Sequence, residues 1–124
     1  MDGNQRGCLA EYLFATECMK LGYQVSMPLS NKSIYDCIVD TGKNLFKIQI
    51  KSSIKIPDYE THSTVHVPLQ NNKRIYTKDR VDYFAVWSSF FDGWFIFKNS
   101  GKMQSIRISL KGKYQKYFNN FVFD

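Results

Sequence analysis

The feature that most constrains this chain is residues 34–51, two runs rich in β-branched and aromatic residues joined through Gly42-Lys43. Gly at the first central position suits a two-residue type II′ turn, so the stretch reads as an antiparallel β-hairpin. The turn sets the register: Thr41 faces Asn44, Asp40 faces Leu45, Ile38 faces Lys47, and Asp36 faces Gln49. Because strand side chains alternate, Tyr35, Cys37, Val39, Phe46, Ile48 and Ile50 take one face, while Asp36, Lys47, Gln49 and Lys51 take the other. The first face is core. The second carries a carboxylate, an amide and an amine, with directly opposed Cβ atoms about 5 Å apart. A single Asp or Lys on a strand is ordinarily a solvated residue, and it is the cluster that stands out. Asp36 and the Gln49 side-chain carbonyl are hard oxygen donors that suit a divalent metal, and an amine beside them can meet a phosphate or a water nucleophile.

Upstream, residues 5–21 contain no Pro and are rich in helix formers, with Gly22 placed to stop the run and Asn4 to cap its start. On this helix Glu11 shares a face with Cys8, Ala15 and Cys18, which are small and weakly polar. A lone helical Glu is ordinarily a surface residue, but these neighbours point Glu11 inward. Residues 23–27 alternate as a strand ended by Pro28, and residues 31–33 form a polar loop into the hairpin.

Gly7-x-x-x-Glu11, then Tyr35-Asp36, then Gln49-Ile50-Lys51, in that order, resembles the PD-(D/E)XK nuclease superfamily, and within it most the homing endonucleases of cyanobacterial group I introns. The later run Asp82-Tyr83-Phe84-Ala85-Val86-Trp87 is similar to a strand of that family's core. Most of the superfamily has Asp or Glu before x-Lys. Gln49 matches the intron-encoded subgroup and leaves one metal-binding charge fewer. The resemblance implies an α+β fold with a restriction-endonuclease-like core, an N-terminal helix followed by a mixed β-sheet, in one domain over residues 1–124. It also implies catalysis by Glu11, Asp36, Gln49 and Lys51. Asp36 would ligate the metal directly and Glu11 through water, with Gln49 and the main-chain carbonyl of Ile50 completing the donor set. Lys51 would be the cationic partner. For oxygen donors without sulfur or imidazole the expected ion is Mg²⁺, with Mn²⁺ as the alternative.

Further along, Ser53 and Lys55 continue the Lys51 face and are placed to meet a phosphate, and residues 57–60 read as a turn or loop. His62 and His66 have the HxxxH spacing of a helical zinc site, but residues 63–67 alternate and are β-branched. Four residues of strand separate the two imidazoles by about 13 Å, too far for one zinc, which leaves DNA contact or simple exposure. Residues 70–80 are the most basic segment. A solvated loop is the ordinary account of such a run, yet Lys73, Arg74, Lys78 and Arg80, interleaved with Tyr76, suit a surface that tracks phosphates. Residues 82–87 and 93–97 read as adjacent buried strands, and 103–110 as a half-exposed strand with Arg107 outward. The tail carries Tyr114, Tyr117, Phe118, Phe121 and Phe123, which need cover from their own core or a second subunit.

Seventeen Lys and Arg against eleven Asp and Glu give a net charge of +6, which favours a polyanionic partner. Cys8, Cys18 and Cys37 show no CxxC spacing, so neither a disulfide framework nor a zinc site is indicated, and a reducing cytoplasm fits. No signal-peptide pattern or long apolar run points to export or a membrane. The expectation is a Mg²⁺-dependent, site-specific endonuclease of double-stranded DNA. It would act as a homo-oligomer, dimer or tetramer, because cutting both strands needs two sites, and the homing role comes from the family likeness. A Holliday-junction resolvase shares the core and the motif pattern. A non-catalytic DNA-binding module on the same fold, and a subunit whose aromatic tail serves protein association, are the other readings.

Overall fold

The computed structural model describes residues 1–58 and 63–124. It opens on helix α1 (Gly3–Lys20), capped by Asp2 and not by Asn4. The Asp2 carboxylate accepts from the Gln5 N–H, and the Gln5 amide oxygen accepts from the Asp2 N–H. This reciprocal capping box starts the helix two residues earlier than the sequence suggested. At the far end Gly22 takes φ +90°, and the N–H groups of Gly22 and Tyr23 donate to the carbonyls of Met19 and Cys18. That paired closure requires a left-handed residue, which is why the helix stops at Gly22.

Among the described residues seven strands follow: β1 (Gln24–Ser26), β2 (Cys37–Asp40), β3 (Leu45–Ser53), β4 (Val65–Pro68), β5 (Tyr83–Ser88), β6 (Gly93–Lys98) and β7 (Ser105–Ile108), then a short 3-10 helix, Gly112–Tyr117. Five form a mixed sheet in the order β1-β2-β3-β5-β6, and β4 and β7 pair as a separate two-stranded sheet. Only the β3–β5 contact is parallel in the five-stranded sheet. The hairpin has the expected register, with Ile38 opposite Lys47 and Asp40 opposite Leu45. Gly42 at its turn takes φ +90°.

Both faces of the five-stranded sheet are covered. On one, Ala10, Phe14 and Cys18 of α1 pack against Cys37, Val39, Ile48 and Ile50. On the other, Val65, Val67, Ile106 and Ile108 of the small sheet pack against Phe84, Val86, Phe95 and Phe97. The face that carries Gln49 is therefore partly roofed, where the sequence suggested an open polar face. Tyr35 joins this second cluster instead of lying with Cys37, because residues 34–36 bend before β2 begins and break the alternation. All three cysteines are free. Among the described residues no helix is long and apolar enough to cross a membrane.

The aromatic tail is covered by its own chain. Tyr114, Tyr117 and Phe118 join the second cluster, while Phe121 and Phe123 join the first. The Phe123 ring meets Tyr83 edge-on with centroids 5.0 Å apart. Gly93, at the start of β6, is where the tail docks closest. A Cβ there would lie 2.4 Å from Cζ of Phe118 and 2.9 Å from Oδ1 of Asn119, and that oxygen accepts the Trp94 N–H. Gly93→Ala is expected to destabilise by about 1–3 kcal/mol, as overpacking of a filled contact does. The urea midpoint measures this, and an unchanged midpoint would mean the tail is not docked there.

Candidate active site

The hairpin places Asp36 one residue before β2, just past the last pair of the ladder, Cys37 opposite Ile48. Its N–H donates to the Ile48 carbonyl at 2.8 Å, and its Oδ2 accepts the Ile50 N–H at 2.7 Å. The carboxylate thus takes the place of a backbone acceptor where β2 has ended. A strand residue directs its N–H and C=O to the same side, so the Ile50 carbonyl also opens on the Asp36 edge. Beside it Gln49 is buried, and among the described residues its Oε1 has no hydrogen-bond partner. Buried polar atoms are nearly always paired, and an orphan costs about 1–3 kcal/mol, so this oxygen marks a place built for something else.

Lys51 lies two residues on, half-buried, with Nζ 5.4 Å from the centroid of the Tyr76 ring. Such a ring attracts an ammonium electrostatically. Tyr76 is buried in the second cluster, and its loop is tied down by Asn99, whose Nδ2 donates to the carbonyls of Tyr76 and Val81, both at 2.9 Å. From α1, Glu11 is half-buried and shares the field of Asp36.

The electrostatics tie these groups together. Burial pushes the Asp36 carboxyl up, opposed by the Ile50 N–H and the Lys51 ammonium. Burial and then the Asp36 charge push Glu11 up, and the same two causes raise the Tyr76 phenol. Burial lowers Lys51, with Asp36 opposing. Among the described residues, no contact ion pair joins Lys51 to either carboxylate. Burial thus shifts two carboxyls and an ammonium toward their neutral forms in one place, the electrostatic pattern of a functional site.

The donor chemistry fits a hard divalent cation. Two carboxylates with raised pKa, an orphaned amide oxygen and a main-chain carbonyl on the same edge are all oxygen ligands, and a dication would favour their ionised forms. Among the described residues no three His, Cys, Asp or Glu side chains converge. Gln49 offers an uncharged oxygen from the residue next to Ile50.

The structure divides the expected DNA-contacting residues. Ser53 and Lys55 line one cleft with Lys51. Lys73 is at the tip of a tight turn in which Asn72 and Lys73 take φ +49° and +66° and Asn71 and Arg74 bridge. The turn begins one residue after Gln70, which lines that same cleft, and both Lys73 and Arg74 are exposed. Lys78 and Arg80 are exposed, and neither is among the residues that line that cleft. Lys78 lines a separate cavity with Phe46, Asp82 and Asp124, at the end of the sheet where β3 begins. There the Lys47 ammonium donates to the Asp79 carbonyl. His66 is in β4, whereas His62, and with it half of the turn expected at 57–60, falls outside the described residues. Sequence reasoning did not assign Arg6, which also lines the Lys51 cleft, nor place the Tyr76 ring under Lys51. An aromatic residue inside the basic run was the one available signal for the latter.

A family model described as PD-(D/E)XK endonuclease matches residues 1–121. Among solved structures, a bacterial homing endonuclease, I-Ssp6803I, is 18% identical with a TM-score of 0.75, covering 95% of this chain and 89% of that one. The Holliday junction resolvase Hjc of the archaeal hyperthermophile Archaeoglobus fulgidus is 14% identical with a TM-score of 0.55, covering 83% of each chain. At these identities both likenesses speak for the fold. A comparison with curated proteins finds no match. The family model spans nearly the whole chain, and the fold agrees with it: the chain belongs to the PD-(D/E)XK endonuclease family.

Proposed function

We propose that the protein is a metal-dependent, site-specific endonuclease of double-stranded DNA, a single nuclease domain of the homing type. The observation that carries this reading is the buried Oε1 of Gln49, unpartnered among the described residues, on the strand whose next residue, Ile50, donates its N–H to the raised carboxyl of Asp36. Asp36, Gln49, the Ile50 carbonyl and Glu11 would hold Mg²⁺ or Mn²⁺. When bound, the ion supplies Lewis acidity at a phosphoryl oxygen and a water of lowered pKa.

The chain's own part is positional and electrostatic. The Ile50 N–H fixes the Asp36 carboxylate through Oδ2. The Tyr76 ring keeps the Lys51 ammonium at the site, where it stabilises charge developing on the phosphorus oxygens or orients the attacking water. Cutting both strands calls for two such sites, hence a two-fold-symmetric homo-oligomer. The likeness to the homing endonuclease supports the duplex reading. The likeness to Hjc supports a second one, cleavage of branched DNA.

Incubating the protein with supercoiled plasmid, linear duplex and four-way junctions, in Mg²⁺ and in chelator, tests the proposal. Metal-dependent cutting of duplex at a discrete position is expected. Cutting confined to junctions favours the resolvase, and binding without cutting on every substrate returns the non-catalytic module. Gln49→Glu adds a charge to the donor set and is expected to keep the fold while lowering the Mg²⁺ concentration for half-maximal cleavage by about tenfold, equivalent to about 1.4 kcal/mol of added attraction. A metal titration identical to wild type would remove Gln49 from the site.

A further inference from the structure

A cleft of about 310 Å³ opens where α1 begins and β3 ends, and its lining includes Arg6, Lys51, Ser53, Lys55, His66 and Gln70. Among the described residues no carboxylate lines it. Three elements bring the polar groups there. Arg6 comes from the first turns of α1, Lys51 and Lys55 from β3 and the residues after it, and His66 from β4 of the second sheet.

Two local features aim these groups. The Lys55 N–H donates to the Ser53 hydroxyl at 3.3 Å, turning the chain just past β3. Among the described residues the Arg6 guanidinium makes one side-chain hydrogen bond, from Nη1 to the Met1 carbonyl at 2.9 Å, although it carries five donors in a planar fork. On the strand paired with β4, Arg107 lies opposite His66 in register, with its charge paired to the Asp58 carboxylate. Arg6, Lys51 and Lys55 converge with no acid among the described lining residues, so they repel one another, and a bound anion relieves that repulsion. Since Lys51 belongs both to this cleft and to the site around Asp36, the two are continuous. An anion in the cleft would be the immediate neighbour of a phosphate at Asp36.

We propose that the cleft is a subsite for the backbone phosphate next to the one that is cut, on the same DNA strand, with Arg6 as its two-pronged anchor and Lys55 and His66 flanking it. This inference rests on the nuclease reading above. It assigns Arg6 and His66 to substrate positioning, with the scissile phosphate left to Asp36 and Lys51. The subsite also fixes strand polarity, since only one neighbouring phosphate can occupy it.

The test is duplex binding in chelator, read by fluorescence anisotropy between about 50 and 200 mM salt, for wild type, Arg6→Gln, His66→Gln and the double variant. Arg6→Gln, which removes one cation–phosphate interaction, is expected to make the log–log salt slope shallower by about 0.9, and His66→Gln, which removes a hydrogen-bond donor, to weaken binding. All of the variants are expected to melt as wild type does, because the side chains are at least partly exposed. In a second arm, single methylphosphonates neutralise one phosphate at a time around the cut position. Neutralising one specific neighbour should weaken wild type yet leave Arg6→Gln no weaker than it already is. If the wild-type protein binds and cuts but the slopes are unaltered, or every methylphosphonate weakens Arg6→Gln as much as wild type, the subsite is wrong and the nuclease reading stands. If wild type neither binds nor cuts any duplex, the nuclease reading falls and takes this inference with it.

Discussion

Asp36→Asn is expected to give a folded protein that still binds duplex DNA but cuts it at least about 10³-fold more slowly, a loss of about 4 kcal/mol of transition-state stabilisation. Asn keeps an oxygen for the Ile50 N–H, which Oδ2 of Asp36 now accepts, so the end of β2 should hold. What disappears is the charge. The same variant makes a second, independent prediction in chelator, without any substrate. Burial raises the Asp36 carboxyl above its ordinary value of 3.8 even with Lys51 nearby, so the folded chain takes up a proton there more readily than the unfolded one. The ionised form therefore costs stability above the folded pKa, and that cost fades as pH falls through it toward 3.8. Asn carries no such cost. The variant should melt above wild type at pH 7, and the gap should close on acidification. Greater stability with lost activity is the usual trade at a functional site. A variant that cuts normally, or one that melts well below wild type at pH 7, would remove Asp36 from the role given to it.

The hairpin was legible because its determinants are local. A Gly at the turn and a period of two on each arm fix the register, and the observed pairs follow. The helix cap was also local, but Asn4 was the wrong choice. Asp2 precedes Gln5 by the three residues that let both side chains reach back to backbone N–H groups, and Asn4 has no comparable partner. What the sequence did not reveal is non-local. The small sheet pairs β4 with β7, some forty residues later, and nothing near Val65 announces Ile108. For the same reason Tyr35 could not be assigned to the second cluster, since that cluster exists only once the small sheet is in place. The basic run at 70–80 looked like one surface. Asn99 divides it by bonding the carbonyls of Tyr76 and Val81, which leaves Lys73 near the Lys51 cleft and Lys78 beside Asp124. The acidic and amide side chains of the candidate site were readable, whereas the Tyr76 ring beneath Lys51 and the Arg6 that lines the neighbouring cleft needed the fold.

Lys51→Met is expected to slow cleavage by about 10²–10³-fold, as loss of one preorganised electrostatic group at the transition state does. Duplex affinity should fall by less than about tenfold, because one phosphate interaction among many is removed. Lys51→Arg should not restore the rate, since a planar fork replaces a compact ammonium above the Tyr76 ring. The stability prediction runs opposite to that for Asp36. Burial lowers the Lys51 pKa below its ordinary 10.5, and Asp36 only partly offsets this. The folded chain releases that proton more readily than the unfolded chain, so the ammonium costs stability below its folded pKa and the cost fades as pH rises through it toward 10.5. In chelator, Lys51→Met should melt above wild type at pH 7, with the gap closing on the alkaline side, where Asp36→Asn should keep its gain. Two melting series across pH, one closing at each end, would be the signature of a carboxylate and an ammonium buried together and awaiting a further charge. A solvated lysine on a strand would lose nothing by ionising, and its Met variant would track wild type at every pH. That flat result, even with cleavage impaired, would move Lys51 out of the buried site and leave it as one more contact on the DNA backbone.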